Sequence, residues 1–490
     1  MKLSRLTQAT GMDAGVWADE TVTGFAIDHR KVAPGTVFGA FLGAVANGED
    51  YIPAAIAAGA IAVVTRPEAE VTGAAHLADA EPRQAFARLA AQFFQPVPET
   101  VVAVTGTNGK TSTVEMTRQI WRMCGQRAAS IGTLGVTTPD ESVSTGLTTP
   151  DIVTFLSNMT GLAREGVTHV AYEASSHGLS QFRNEGLPVV AGAFTNLSRD
   201  HLDYHANMDD YFAAKMRLFS EVVSDGGIAV IWADDPRSGE AISAAKARGL
   251  TVFTVGEQGL SIKLISRTPG HLGQDLEIEY EGTRRKVMLP LIGAYQAANA
   301  LVSAGLALST GSDPATVFDA LGRLQPVRGR LERAAISASG APVYVDYAHT
   351  PDALAAAIEA LRPHLSGRLI TVFGAGGDRD RGKRPEMGRV AAEHSDVVIV
   401  TDDNPRGEDP AAIRAEVLSG AAGAIEIGDR REAIRRGIAE AGAGDIVLVA
   451  GKGHEQGQIV GAGEATRILP FDDVTVAREC AAGLSGAAHR

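Results

Sequence analysis

The chain of 490 residues has few of the features that mark secreted, membrane or nucleic-acid-binding proteins. Its two cysteines, Cys124 and Cys480, cannot build a disulfide framework. No apolar run approaches the roughly 20 residues that span a bilayer, and residues 1–15 lack an apolar core of signal-peptide length. The 45 lysines and arginines are outnumbered by 58 acidic residues, for a net charge of −13. We therefore expect a cytoplasmic protein with no membrane insertion and no dominant nucleic-acid surface.

Length and composition predict a multidomain globular protein. Apolar residues make up 45% of the chain and charged residues 21%, which excludes a largely disordered chain. About 150 residues per domain predicts three domains. We place them at 1–98, 99–330 and 331–490, with the two prolines in 95–99 at the first boundary.

Short apolar runs alternate with helical patterns in the second and third blocks. The runs are Val101–Thr105, His169–Glu173, Gly192–Thr195, Pro342–Asp346, Leu369–Phe373, Val397–Thr401 and Ile446–Ala450. Uninterrupted apolar strands of this length indicate parallel sheets covered by helices on both faces. The fold class is therefore α/β, with ligands expected at the carboxyl ends of the strands.

A glycine-rich loop follows the first of these strands. The sequence Gly106-Thr107-Asn108-Gly109-Lys110-Thr111-Ser112 leads into a helical pattern that continues to Trp121. Strand, glycine loop, Lys-Thr and helix form the layout that binds nucleotide phosphates, with Lys110 reaching the β and γ phosphates and Thr111 binding magnesium. The strict motif has a further glycine where this chain has Val104, so the loop is a compact variant.

Two later segments carry residues that suit such a site. Glu173 ends an apolar strand, where a carboxylate can hold the Mg²⁺ of ATP. His201 and His205 stand among aspartates and an arginine, and on chemistry alone a metal or phosphate role is about as well supported as a structural one. Lys215 lies in a helical pattern and alone reads as an ordinary helix lysine.

Long motifs extend this pattern through the chain. They are TGTNGKTS at 105–112, EASSHGL at 173–179, NLSRDHLDYH at 196–205, DYAHTPDAL at 346–354, GGDRDRGKRP at 376–385, DDNPR at 402–406 and GKGHE at 451–455. In this order, the motifs resemble the Mur ligase family over essentially the whole chain. Those of the third block resemble its diaminopimelate-adding members.

The resemblance implies three domains and an amide-forming reaction. The domains would be a small N-terminal α/β domain that binds a UDP-sugar, a central P-loop ATPase domain with a parallel sheet, and a C-terminal Rossmann-like domain. The substrates would be ATP, UDP-N-acetylmuramoyl-L-alanyl-D-glutamate and meso-diaminopimelate, joined through an acyl phosphate. Mg²⁺ would assist, and we expect a monomer.

The resemblance also implies roles for individual residues. The catalytic residues would be Lys110, Glu173, His201 and Lys215, and Mg²⁺ would be held by Thr111, Glu173, His201 and a carbamate on Lys215. ATP would be bound by Gly106, Thr107, Asn108, Gly109, Lys110, Thr111, Ser112, Asn299, Arg330, Asp346 and His349. The UDP-sugar peptide would be bound by Ile27, His29, Thr148, Thr149, Ser175, Gln181 and Arg183. Diaminopimelate would be bound by Arg379, Asp403, Asn404, Pro405, Arg406, Gly451 and Glu455.

The first block departs from the family pattern. His29 stands where relatives carry a serine that contacts UDP, and residues 44–46 are Ala-Val-Ala where relatives often carry polar residues.

Four other functions compete with this interpretation. A folylpolyglutamate synthase or a lysine-adding Mur ligase is disfavoured by Asp403-Asn404-Pro405-Arg406. A dehydrogenase built on the Gly374–Gly377 turn lacks the third fingerprint glycine, since residue 379 is arginine. A non-catalytic nucleotide switch would keep Lys110 and Thr111 but would not need the residues of an amine pocket.

Overall fold

The computed structural model describes residues 1–43, 46–138, 140–143, 148–198, 204–378 and 380–483. The chain divides into two compact units. The first comprises Met1–Ile262 with Leu301–Val317, and the second comprises Lys263–Ala300 with Phe318–Arg490. Among the described residues, no helix is both long and apolar enough to cross a membrane.

The first unit begins with a small parallel sheet. Its strands are β1 (Gly24–Ala26), β2 (Thr36–Gly39), β3 (Ala60–Thr65) and β4 (Ala75–Ala78), paired in that order. The helices of this region are α1 (Leu3–Thr10), α2 (Ile52–Ala57) and α3 (Pro82–Phe93). The strands are short and almost entirely buried, as expected for a parallel sheet with both faces covered.

A larger sheet follows in the same unit. Its strands are β5 (Thr100–Thr105), β6 (Ala128–Gly132), β7 (Gly135–Thr137), β8 (Ser142–Val143), β9 (His169–Glu173), β10 (Val189–Phe194), β11 (Val223–Trp232) and β12 (Thr251–Gly256). Their spatial order is β12-β11-β10-β5-β9-β6-β7-β8. All neighbours are parallel except β6–β7 and β7–β8. The helices are α4 (Lys110–Met123), α5 (Ile152–Arg164), α6 (Ser176–Ser180), α7 (Met208–Arg217) and α8 (Ser238–Ala247).

The second unit starts with three strands and ends with a doubly wound sheet. The three are β13 (Ile262–Gly270), β14 (Gly273–Tyr280) and β15 (Thr283–Leu289), with β14 and β15 antiparallel. The helices α9 (Ala294–Ser309) and α10 (Pro314–Leu321) have residues in both units. The sheet is formed by β16 (Glu332–Ile336), β17 (Pro342–Asp346), β18 (Leu369–Phe373), β19 (Val397–Val400), β20 (Ile425–Glu426) and β21 (Ile446–Ala450), in the order β16-β17-β21-β18-β19-β20.

Helices cover both faces of this sheet. The helices are α11 (Pro351–Leu361), α12 (Lys383–His394), α13 (Pro410–Leu418), α14 (Arg430–Glu440) and α15 (Asp473–Ala481). Leu369 and Phe373 of β18 pack in one buried cluster with α11 and α12, whereas the alternate residues Ile370 and Val372 pack in another with α14 and α15. The period of two along the strand therefore divides one sheet between two cores.

The structure confirms most of the strands expected from sequence and adds antiparallel ones. The strand expected over Val397–Thr401 ends one residue earlier, at Val400. The sheets are not purely parallel, because β7, β8 and β16 pair antiparallel to their neighbours. A hairpin of β22 (Gly457–Val460) and β23 (Arg467–Pro470) was not expected.

Candidate functional site

The phosphate loop joins β5 to α4 and depends on two glycines. Gly106 has a φ of 147°, and a Cβ there would lie 1.9 Å from Thr195 Oγ1, so any side chain would clash. Gly109 has a φ of 86° directly before Lys110, the first residue of α4. A left-handed conformation at this point favours glycine. The loop therefore directs the N-terminus of α4 to the carboxyl end of β5, where a helix N-terminus favours anions.

The segment after β10 holds the loop in place. The Thr107 N–H donates to Asn196 O over 2.9 Å, and the Asn108 N–H donates to Asn196 Oδ1 over 2.9 Å. Thr195 Oγ1 donates to Asn108 O over 2.6 Å. The Thr107 hydroxyl accepts from the Ser198 N–H over 3.0 Å. Because β5 and β10 are neighbouring parallel strands, both segments lie at one edge of the sheet.

Two lysines converge on the same loop. Lys110 Nζ donates to Gly106 O over 2.9 Å and to Thr107 O over 2.8 Å. Lys215, on α7, is 1% exposed, and its Nζ donates to Gly106 O over 2.8 Å. The Lys215 Nζ also lies 4.2 Å from the centre of the Tyr211 ring. The fold thus brings Lys215, an ordinary helix lysine by sequence, to the phosphate loop.

Glu173 and Thr111 both carry oxygen ligands of the kind that a magnesium ion takes. Glu173 is 2% exposed, and its Oε1 accepts from the Thr133 N–H over 2.7 Å. A Cβ at Gly132 would lie 2.1 Å from that oxygen, so a glycine leaves the room for the carboxylate. No group of three His, Cys, Asp or Glu side chains that could hold a metal occurs among the described residues. A hydroxyl and one carboxylate nevertheless fit Mg²⁺, which keeps several waters and takes its other ligands from phosphates. His201 lies outside the described residues.

Five residues assigned to the UDP-sugar peptide form one connected cluster. Thr148 Oγ1 lies 3.0 Å from Thr133 Oγ1, the hydroxyl that donates to Glu173 Oε2 over 3.3 Å. Thr149 Oγ1 donates to Glu173 O over 2.9 Å and lies 3.0 Å from Ser175 Oγ. The other two members connect through a guanidinium, since Arg183 donates to Thr149 O over 2.9 Å and to Gln181 Oε1 over 2.7 Å. Burial is the main cause that lowers the pKa of Arg183.

The N-terminal residues lie at the carboxyl end of β1. Ile27 is 37% exposed, and the His29 ring stacks on the Tyr51 ring at 4.4 Å with an interplanar angle of 4°. Hydrogen bonds from Arg30 hold the pKa of Asp28 down to about 2. Tyr51 was not singled out from sequence. Residues 44 and 45 of the Ala-Val-Ala segment lie outside the described residues.

Four residues assigned to ATP belong to the second compact unit. Asn299 is 3% exposed and its Nδ2 donates to Gln296 Oε1 over 3.4 Å. The Arg330 guanidinium lies 5.0 Å from the centre of the Tyr347 ring. Asp346 accepts from the Leu331 N–H over 2.7 Å, and burial raises the pKa of its carboxyl although Arg330 opposes this.

A cavity of about 220 Å³ lies at the carboxyl edge of the second unit's six-stranded sheet. Its lining residues are Tyr347, His349, Gly376, Lys383, Asp403, Asn404, Arg406, Gly451 and Glu455. Five of these were assigned to diaminopimelate from sequence, and His349 was assigned to ATP. Tyr347, Gly376 and Lys383 were missed, although each lies in or beside a quoted motif. Pro405 is not among the lining residues, and Arg379 lies outside the described residues.

The loop that carries Arg406 is held in an unusual conformation. Asn404 and Arg406 have φ values of 44° and 50°, in the left-handed region that residues other than glycine rarely adopt. The Arg406 N–H donates to Ile459 O over 3.0 Å, and its guanidinium donates to Gly377 O over 2.9 Å. Strand β22 therefore supports the loop, and strain of this kind is common at binding sites.

Two buried cations behind the cavity were missed from sequence. Arg384 has no exposed surface and binds Glu408 Oε1 over 2.7 Å and Glu416 Oε2 over 2.8 Å. Lys452 also has no exposed surface and lies 3.1 Å from Asp403 Oδ1. Both belong to quoted motifs, GGDRDRGKRP and GKGHE, but only the fold shows that their charges are buried.

Three segments of the chain match domains of one enzyme family. Residues 21–97 match the Mur ligase family catalytic domain, 104–307 the Mur ligase middle domain, and 329–453 the Mur ligase glutamate ligase domain. The chain belongs to the Mur ligase family, and it is an ATP-dependent ligase with the N-terminal, central and C-terminal α/β domains of that family.

Its relatives share one described activity. The chain is 60% identical over 461 residues to the UDP-N-acetylmuramoyl-L-alanyl-D-glutamate–2,6-diaminopimelate ligase of Zymomonas mobilis, covering 94% of this chain and 95% of the relative. The ligase of the same name from Bradyrhizobium diazoefficiens is 53% identical over 476 residues, with 96% and 97% covered. A solved structure of a ligase of that name is 33% identical, with a TM-score of 0.75 and 99% of both chains covered.

More distant structures share the fold alone. MurF of Acinetobacter baumannii is 19% identical with a TM-score of 0.62, over 92% of this chain and 95% of that one. A folylpolyglutamate synthase of Mycobacterium tuberculosis is also 19% identical, with a TM-score of 0.60 over 73% of this chain and 89% of that one. The fold therefore does not separate these activities, which depend on the residues of the individual sites.

Proposed function

We propose that the chain joins meso-diaminopimelate to UDP-N-acetylmuramoyl-L-alanyl-D-glutamate, with hydrolysis of ATP, in the synthesis of peptidoglycan precursors. The observation that carries this proposal is the cavity in the second unit, which is lined by Arg406 and by the two acidic residues Asp403 and Glu455. meso-Diaminopimelate carries both an ammonium and a carboxylate on its far carbon, and this cavity offers groups of opposite charge to each.

ATP activates the carboxylate substrate in this proposal. The γ-carboxylate of the D-glutamate attacks the γ-phosphorus, ADP leaves, and an acyl phosphate forms. Lys110 and the N-terminus of α4 bind the phosphates, because backbone N–H groups and a cation favour anions there. Asn299, Arg330, Asp346 and His349 are proposed to bind the rest of the nucleotide.

Thr111 and Glu173 would hold Mg²⁺, together with His201 and Lys215 in a carbamate form. The metal would supply positive charge to the phosphoryl oxygens. Lys215 suits modification because its amine is buried beside the loop at Gly106. A carbamate replaces an ammonium by an anion, so the same side chain would change from a donor to a metal ligand.

The amine substrate, which is bound by residues of the second unit, completes the reaction. Its reacting amine attacks the acyl carbon, the tetrahedral intermediate collapses, and phosphate leaves as the amide forms. Arg406 pairs with the distal carboxylate, for which a planar guanidinium offers two parallel N–H groups. Asp403 and Glu455 receive the distal ammonium, with Asn404, Gly451, Pro405 and Arg379 completing the site.

The remaining assignments concern the third substrate and the protein as a whole. Thr148, Thr149, Ser175, Gln181 and Arg183 are proposed to bind the UDP-sugar peptide, together with Ile27 and His29. We propose domain boundaries at 1–98, 99–330 and 331–490. We also propose that the enzyme is cytoplasmic, because its nucleotide substrates are cytoplasmic compounds, and that it is a monomer.

Substrate-dependent phosphate release tests the function. Purified protein should release phosphate from ATP only when the UDP-dipeptide and an amine are both present, with meso-diaminopimelate far better than lysine. Mass spectrometry of the product should show one added diaminopimelate residue. ATP hydrolysis at the same rate with and without the other substrates would favour a nucleotide switch. Turnover of lysine as fast as that of meso-diaminopimelate would contradict the assigned amine.

A further inference from the structure

A buried ammonium stands directly behind the amine cavity. Lys452 Nζ lies 3.1 Å from Asp403 Oδ1 and donates to Asn404 Oδ1 over 2.9 Å and to Gly457 O over 2.8 Å. The two amide oxygens accept hydrogen bonds from the ammonium, and the Asp403 carboxylate forms an ion pair with it. The side chain has no exposed surface and is not among the residues that line the cavity. A charge this buried is stable only with such partners.

Asn404 extends the contacts of this ammonium to the second carboxylate. Its Oδ1 accepts from Lys452 and also from the Ile459 N–H over 2.9 Å. Two donors at one atom identify that atom as the amide oxygen, so the orientation of the side chain is determined. The opposite atom, Nδ2, then donates to Glu455 Oε2 over 2.7 Å.

The first carboxylate has little freedom of its own. Asp403 is 6% exposed, and a Cβ at Gly451 would lie 2.3 Å from its Oδ2. The neighbouring buried cation, Arg430, forms its own two-bond pair with Asp473 at 2.7 and 2.8 Å. Burial lowers the pKa of Lys452, and the Asp403 carboxylate opposes that change by stabilising the charged ammonium.

We propose that Lys452 is a positioning residue for the ammonium-binding side of the cavity. It holds Asp403 directly and Glu455 through Asn404, so that both carboxylates receive the distal ammonium of the amine substrate. The inference rests on the proposed function. The carboxylate-binding side has separate anchors, since Arg406 bonds through its N–H to Ile459 O and through its guanidinium to Gly377 O.

Three amine substrates distinguish the ammonium-binding side of the cavity from the carboxylate-binding side. meso-Diaminopimelate carries a distal ammonium and a distal carboxylate, L-lysine carries only the ammonium, and 2-aminopimelate carries only the carboxylate. In the full-length enzyme, Lys452→Met should lower kcat/KM about 10- to 150-fold for meso-diaminopimelate and by a similar factor for lysine. For 2-aminopimelate the value should change less than about threefold, within the spread of context effects on a single contact. The KM values for ATP and the UDP-dipeptide should stay near those of the wild type.

Matched variants exclude a general structural effect. Arg406→Ala should show the reciprocal pattern, with losses for the two amines that carry a distal carboxylate and little loss for lysine. Arg431→Met removes a surface ion pair with Glu479 of 2.6 Å and should leave all three amines unchanged. If Lys452→Met does not fold, Lys452→Gln keeps a polar side chain and should show the same pattern.

Two results distinguish failure of this inference from failure of the proposed function. Equal losses for all three amines, or no loss for any, would overturn the role of Lys452 while leaving the function intact. Failure of the wild-type enzyme to use meso-diaminopimelate would overturn the proposed function itself.

Discussion

Arg406 is the residue on which the choice of amine depends. Its side chain lines the cavity beside two carboxylates, and its left-handed backbone is held by β22. Losing a charged hydrogen bond costs about 1.5–3 kcal/mol, so Arg406→Gln should lower kcat/KM for meso-diaminopimelate roughly 10- to 150-fold. Lysine lacks the distal carboxylate and should lose far less. Arg406→Lys keeps a charge but not the planar fork, and should fall between wild type and Arg406→Gln. Equal losses for both amines would rule out the assignment.

Lys110 is the residue with which the proposed ATP site can be tested. Its Nζ binds the carbonyls of Gly106 and Thr107, within the loop that we propose binds ATP. Lys110→Ala should abolish ligation, because charge on the transferred phosphoryl group is then not neutralised. Affinity for the UDP-dipeptide, measured by calorimetry, should stay nearly unchanged. Near-normal turnover in the variant would contradict the ATPase assignment. Lys246→Ala, which changes an exposed lysine on α8, serves as the surface control.

At the scale of elements, α7 matters because it carries Lys215 to the phosphate loop. Its N-cap is Asn207, whose Oδ1 accepts from the N–H groups of Asp209 and Asp210 at 2.9 Å each. Asn207→Ala should lower the free energy of unfolding by about 1 kcal/mol, whereas Asn207→Ser keeps a capping oxygen and should stay near wild type. Urea denaturation compares the two. Equal destabilisation by both variants would show that the cap is not the cause.

The whole molecule should lose stability in mild acid. His364 and His454 are both in the second unit, and burial lowers both pKa values, that of His454 to about 4. His364 Nε2 accepts from the Gly293 N–H over 3.0 Å, a bond that protonation would break. In the unfolded chain a histidine titrates near 6.5, so the unfolded state binds more protons below that pH. Stability is therefore fully present above pH 6.5 and is lost as the pH falls toward 4.

Urea midpoints measured at pH 7 and pH 5 test this dependence. The urea midpoint of the wild type should be lower at pH 5 than at pH 7. The midpoint of His364→Gln should fall less, because the substitution removes one titrating group. A urea midpoint that does not change with pH would contradict the role of the buried histidines. So would a fall between pH 7 and pH 5 that is as large in His364→Gln as in the wild type.

The sequence by itself was sufficient for the fold class and the family. Short apolar runs such as Leu369–Phe373 and Ile446–Ala450 match β18 and β21, because a strand buried on both faces has few alternatives. The loop at 106–109 was also predicted from sequence. Its motif contains glycine at 106 and 109, the two positions where the structure has positive φ values. Motifs of this length also placed the chain in the Mur ligase family.

Only the tertiary structure decided which charges work together. Lys215 and Lys110 are separated by about a hundred residues, yet both bind Gly106 O. Nothing in their motifs marks Lys452 and Arg384 as buried, but the fold buries both against carboxylates. The antiparallel strands and the hairpin that supports Arg406 were also missed. These features arise from contacts between distant segments, where burial changes the energy of a charge, and no local pattern in the sequence records that environment.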